Sequence, residues 1–321
     1  MHERQSAPRS FRDILKGLHG NTSVILSLAF FAGLVFNRAA PLVQPAVTPI
    51  LAFIMTVSLL EIPSEIFLNI RELTMPALIS LFLSYILLSG VIIGAASLII
   101  PDNDLWTGFV LIATVPPAVS VIPYTYLLDG NTRFSLIGST VAYLAAMVFT
   151  PLISVLVLGT SYVSPARLIG ILTVLIILPF IISRLLRHTQ LKGIIIRFRR
   201  YCINWGFFVV AYTIIGLNRD SFLTAPLTLV RLILVAFIST FALGLVIEYV
   251  CTLLRVNAHD RISLMLIGTR KNYGLAAAIS LLFFDPRTAT SIAVCMAVAI
   301  LHFIWLQTKW GQTTSYLKGG T

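Results

Sequence analysis

Ten apolar runs, each close to the length of one membrane crossing, occupy most of this 321-residue chain. A helix rises about 1.5 Å per residue, so about 20 apolar residues cross a hydrocarbon layer of about 30 Å. The runs lie near 22–40, 44–61, 75–99, 105–128, 131–158, 165–186, 201–217, 226–254, 262–284 and 288–307. A water-facing surface needs about a quarter of its residues charged; here 11% are charged and 58% hydrophobic. Lipid is the solvent this sequence suits, so a disordered chain, a nucleic-acid binder and a secreted disulfide scaffold are all excluded. Cys202, Cys251 and Cys295, odd in number and set in or beside apolar runs, form no disulfide framework, metal motif or redox motif.

Lys and Arg give the orientation, because cytoplasmic loops hold an excess of them. With the N-terminus inside, sixteen fall on the cytoplasmic side, Arg12, Lys16, Arg184, Arg197, Arg199 and Arg200 among them. Five fall outside: Arg38, Arg167, Arg219, Arg231 and Arg287. Both termini are therefore expected in the cytoplasm of a multi-pass plasma membrane of the bacterial inner-membrane kind. Membrane lipid is the expected partner of the Arg184–Arg200 stretch, and nucleic acid is not. The first twenty residues hold no apolar segment of a cleaved leader, so the first run is expected to stay. Asn21-Thr22-Ser23 has the glycosylation pattern but abuts that run on the inner side.

Half-way along, the sequence returns to itself. Leu111-Ile112-Ala113-Thr114 recurs as Leu266-Ile267-Gly268-Thr269, 155 residues on. Asp129-Gly130-Asn131-Thr132 recurs as Asp285-Pro286-Arg287-Thr288, 156 on. Five spans per half is an odd number, so the second half enters from the opposite side, as in the inverted repeats of many secondary transporters. The expected architecture is all-α: a tail over 1–21, a first five-helix repeat over 22–158, an inverted second over 159–307 and a tail over 308–321.

The fourth span holds Pro116, Pro117 and Pro123, and the ninth holds Asn272-Tyr273-Gly274. Proline has no N–H and clashes with the preceding turn, and freed backbone groups are tolerated only in protein or against a cavity. Interruptions at matching points of two repeats mark a binding site where helices 4 and 9 cross. Arg270 and Lys271 lie about 12 Å inside the ninth span, close to the midplane, where a cation costs roughly 2.5–3.5 kcal/mol unless it meets water or a partner. With Glu248 the one carboxylate inside a long apolar run, the missing negative charge is expected to come from the substrate, a small anion. Substrate-binding candidates are Arg270, Lys271, Asn272, Tyr273, Pro116, Pro117 and Ser120.

At these residues the sequence is similar to the bile acid:sodium symporter family, within the wider group of bile-acid, arsenite and related carriers. The likeness rests on Thr125-Tyr126-Leu127 with Gly130-Asn131, and on Asn272-Tyr273-Gly274-Leu275-Ala276-Ala277-Ala278. It implies a panel domain and a core domain, spans 4 and 9 crossing at the site, and alternating access between the two domains. Where the sodium-coupled members resemble one another in Gly-Gly-Thr-Ala-Ser-Asn, this chain reads Pro117-Ala118-Val119-Ser120-Val121-Ile122. Their later Glu and Gln positions are Ile267 and Lys271, and Tyr273 stands for a serine. Ser135 and Ser139 are what remains of the ion site. Lys271 is thus expected where a coupling ion sits, a tethered cation in place of a diffusible one. Lysine is also a side chain whose protonation responds to burial, which makes Lys271 a candidate proton carrier, with His302 either extending that relay or simply packed.

The functional expectation is a secondary carrier of a small organic anion working by alternating access, without classical sodium coupling and with no cofactor beyond a coupling Na+ or H+. An ordinary sodium-coupled symporter using backbone carbonyls is the alternative within the class. A magnesium-dependent membrane enzyme would need paired carboxylates, and Asp102 with Asp104 in one short turn is the only close pair outside the spans. No His-Glu-x-x-His, Gly-x-Ser-x-Gly or phosphate-cradling loop occurs. A sensor or receptor would need an effector domain, and no loop or tail exceeds about twenty residues by the span count above.

Overall fold

The computed structural model describes residues 22–60, 70–160 and 164–318, all helix and connections with no strand among them. The expected 1–21 tail, with Asn21 and the first basic residues, lies outside the described residues, as do 319–321. Seven helices are long and apolar enough to cross a membrane. They are α2 (Asn37–Leu59), α3 (Leu73–Ile99), α5 (Thr132–Leu158), α6 (Pro165–Leu186), α7 (Leu191–Leu217), α8 (Pro226–Leu253) and α10 (Pro286–Trp310). A shorter apolar helix, α1 (Thr22–Val35), precedes them. The fourth and ninth runs each form two helices instead of one. These are α4a (Asn103–Thr114) with α4b (Val121–Leu127), and α9a (Ala258–Thr269) with α9b (Tyr273–Phe283). The last helix runs on to Lys318, past the expected end at 307.

Helix starts follow from side-chain caps, which satisfy donors that the first turn leaves free. Asp102 accepts from the N–H groups of Asp104 and Leu105 at 3.1 Å, and Asn257 from that of Asp260 at 2.9 Å. Asn131 does the same for Phe134 at 3.0 Å. Pro165, Pro226 and Pro286 open their elements in the first turn, where a missing N–H costs nothing.

Helices α1, α2, α6 and α7 pack as one set, with α7 against both α1 and α2. Helices α3, α5, α8 and α10 surround the two broken segments as the other, and α9b also touches α2. Backbone contact within the second set is close. A Cβ on Gly108 of α4a would lie 2.3 Å from the carbonyl oxygen of Thr288 at the start of α10. The same junction is tied by a Ser291 hydroxyl bond to Leu105 O (2.7 Å) and an Arg287–Asp102 ion pair (2.8 Å). At the other end of the bundle Asn131 donates to Asp260 at 2.6 Å, while its N–H donates to His259 O at 3.0 Å.

Certain elements recur at the sequence offset. Helices α4a and α9a are twelve residues each and start 155 positions apart. A π-helical turn widens α3 at Phe82–Leu88, and another widens α8 at Ile238–Ala242.

Candidate functional site

The first break follows from Pro116 and Pro117. Without N–H groups they leave the carbonyls of Ile112 and Ala113 no helical donors, and Val115 turns extended. Both prolines are buried. Pro123 does not extend the break, because it sits in the first turn of α4b. The second break comes two residues earlier than the sequence suggests. Arg270 is extended at φ −120°, ψ 125°, while Tyr273 and Gly274 already belong to α9b. Asn272 is the reason: its side chain caps α9b by accepting from the N–H of Leu275 at 3.0 Å.

The breaks are joined to each other. The N–H of Asn272 donates to Pro116 O at 2.9 Å. Lys271, 1% exposed, reaches across from the break after α9a and spends its three donors on oxygens. These are Ala113 O at 2.8 Å, Val115 O at 2.9 Å and Ser89 Oγ at 3.1 Å. Ser89 itself donates to Ala113 O at 2.6 Å, and Thr150 caps Thr114 O at 2.8 Å. The ammonium thus sits at the negative end of α4a, where a cation is favoured. Its fourth side faces the Tyr85 ring, 4.8 Å from the centroid. Desolvation is offset here by oxygens and a π face, with no carboxylate among these partners.

Arg270, 3% exposed, goes the other way, as adjacent extended residues do. Its guanidinium donates to Ala299 O and meets His302 Nδ1 at 3.4 Å. It lies 5.8 Å from the Tyr124 ring and 5.9 Å from that of Phe303, which stack on one another. Arg270 Nε and His302 Nε2 are buried without hydrogen-bond partners. Arg270→Lys is therefore expected to lower thermal stability by about 1–2 kcal/mol, since one ammonium cannot reproduce a flat fork that also stacks. An unchanged melting temperature for this variant would remove Arg270 as the link between the second break and α10.

Arg270 and Lys271, both expected at the substrate site, are instead buried in protein, because the extended break sends each to a separate set of carbonyls. The relay expected from Lys271 to His302 has no direct link: Lys271 bonds α3 and α4a, and His302 bonds Arg270. Of the predicted substrate residues, Asn272 reaches a cleft lined by Leu51, Ile54 and Met55 of α2, Leu175 of α6, Phe207 of α7, and Leu275. Its amide also donates to the Tyr143 hydroxyl at 2.8 Å. Tyr273 and Ser120 are half-buried. Ser135 and Thr125 share a hydroxyl–hydroxyl bond of 2.8 Å, whereas Ser139 Oγ is buried without a partner. Ser89, Tyr85, Thr150 and Tyr143 were missed; their polar tips inside apolar runs were the available signal.

A model of the sodium bile acid symporter family matches residues 48–223, more than half of the chain. The chain belongs to that family. No curated protein matches it. Family membership and seven crossing helices make this a multi-pass membrane transporter of the bile-acid and arsenite carrier type, and no enzymatic role is indicated. A metal cation fits poorly beside Lys271. The oxygens that a monovalent cation would use already hold an ammonium, and a second cation beside it is repelled.

Proposed function

We propose that this chain is a secondary carrier for a small organic anion, working by alternating access without sodium, with the Lys271 ammonium tethered where a coupling ion would bind. The observation that carries this reading is the set of three oxygens around Lys271 Nζ at a broken helix end. Two cations lie buried at the breaks, held by carbonyls, a hydroxyl and aromatic rings with no carboxylate among these partners, so the local field favours an anion although neither cation opens onto a cavity. A unit charge about 10 Å away still contributes roughly 1.7 kcal/mol at an effective dielectric of about 20. The cleft at Asn272 is small and apolar, and the Asn272 amide is already held by the Tyr143 hydroxyl and the Leu275 N–H.

We further read the chain as ten spans in two inverted halves, 22–158 and 159–307, with both termini cytoplasmic in a bacterial-type inner membrane. In support, the two matched tetrapeptides do equivalent work. Asn131 bonds Asp260 near the start of α9a, and Arg287 pairs with Asp102 at the start of α4a. We read the two packed sets of helices as the panel and core that alternating access requires, a reading supported by the cleft lined from both sets. Uptake of organic anions into liposomes holding the purified protein tests the reading. Equal uptake with sodium or with choline as the sole external cation is expected; uptake that collapses without sodium would overturn the tethered-cation assignment.

A further inference from the structure

We infer that this carrier is electrogenic: the anion crosses without a charge-compensating ion, and membrane potential sets the direction of net flux. In a cell with a negative interior that direction is outward. The inference rests on the anion-carrier reading above and follows from charge conservation over one transport cycle.

A diffusible coupling ion is released with the substrate and takes its charge across. The Lys271 ammonium is bonded to the chain and buried against Ala113 O, Val115 O and Ser89 Oγ. Whatever path the fixed charges follow as the helices move, they return to their starting positions when the cycle closes. The net charge translocated is therefore that of the released solute alone. A symporter moving one anion with one or two sodium ions transfers zero or one positive charge. Here a monovalent anion transfers one negative charge.

A proton riding with the substrate would restore neutrality, and the surroundings of both cations oppose that route. The side chains facing the Lys271 ammonium are Ser89 from α3 and the ring of Tyr85, also from α3, while α4a supplies only carbonyls. None is a carboxylate or imidazole able to receive its proton. Arg270 is permanently charged. Among the described residues His302 is the imidazole at the second break, and Tyr124, Tyr273 and Cys295 are the other titratable groups there. A proton on His302 would set two positive charges side by side with no carboxylate between them.

The test uses purified protein in liposomes, with potentials imposed by potassium gradients and valinomycin. Taurocholate and pyruvate are the probes, because each holds a single negative charge at neutral pH. For one charge, about 59 mV corresponds to a tenfold concentration ratio. An interior held at about +118 mV should therefore accumulate a transported probe about a hundredfold, and the opposite polarity should empty the liposomes to the same degree. Sodium-independent flux that is equal at both polarities, or that follows a pH gradient at zero potential, overturns the inference and leaves the anion-carrier reading standing. Flux that requires sodium, or no flux of either probe under any condition, overturns that reading and this inference together.

Discussion

Lys271→Ala is expected to lose most transport in sodium-free medium and to regain part of it when sodium is added. The ammonium makes three hydrogen bonds to oxygen. Bonds to a charged group contribute about 1.5–3 kcal/mol each. Losing about 3 kcal/mol of stabilisation in one state of the cycle corresponds to roughly a hundredfold in rate or population. Alanine removes the cation and also vacates its space, leaving Ala113 O, Val115 O and Ser89 Oγ around a gap. Sodium takes oxygen ligands and replaces the missing charge. Lys271→Met fills the gap without a charge, so sodium should not rescue it. Uptake measured for both variants in sodium, potassium and choline media distinguishes these outcomes. Wild-type rates for Lys271→Ala without sodium would show that the ammonium has no part in transport.

Gly108→Ala is expected to destabilise the fold by about 2–3 kcal/mol, the upper part of the range for overpacked cores. The added Cβ would lie 2.3 Å from Thr288 O and 3.0 Å from Ser291 Cβ. The first of these is backbone at the entry to α10 and cannot swing aside. Helices α4a and α10 must then separate, which strains the Ser291–Leu105 bond and the Arg287–Asp102 pair. Gly90→Ala is the control, since nothing lies within 4 Å of its added Cβ. Thermal unfolding in detergent should show a clear drop for the first and no drop for the second. Equal melting temperatures for wild type and Gly108→Ala would mean that the two helices are less tightly joined than their geometry implies.

Hydropathy made the crossing segments legible, because a lipid-facing helix must be apolar over its whole length. The first break was legible too, since two prolines without N–H groups admit few other outcomes. The second was displaced by two residues. Asn272-Tyr273-Gly274 looks like an interruption, but Asn272 is a cap and Gly274 lies within α9b, where a Cβ would meet Leu51 Cδ2 at 2.7 Å. Its glycine serves helix packing, and no sequence signal separates that use from a break. The destinations of Arg270 and Lys271 were not legible at all. Their partners are mainly backbone carbonyls, which every residue has, and for Lys271 which carbonyls are free depends on prolines more than 150 positions away. The π-helical turns in α3 and α8 were equally invisible, as nothing in Phe82–Leu88 or Ile238–Ala242 marks a widened turn.

Equilibrium binding of radioactive sodium to purified wild-type protein and to Lys271→Ala, side by side, bears most directly on the tethered cation. The wild type should bind no sodium at the helix break, while the alanine variant should bind it saturably, and excess unlabelled sodium should displace it. Saturable, stoichiometric binding to the wild type, undiminished by the presence of the lysine, would contradict the account.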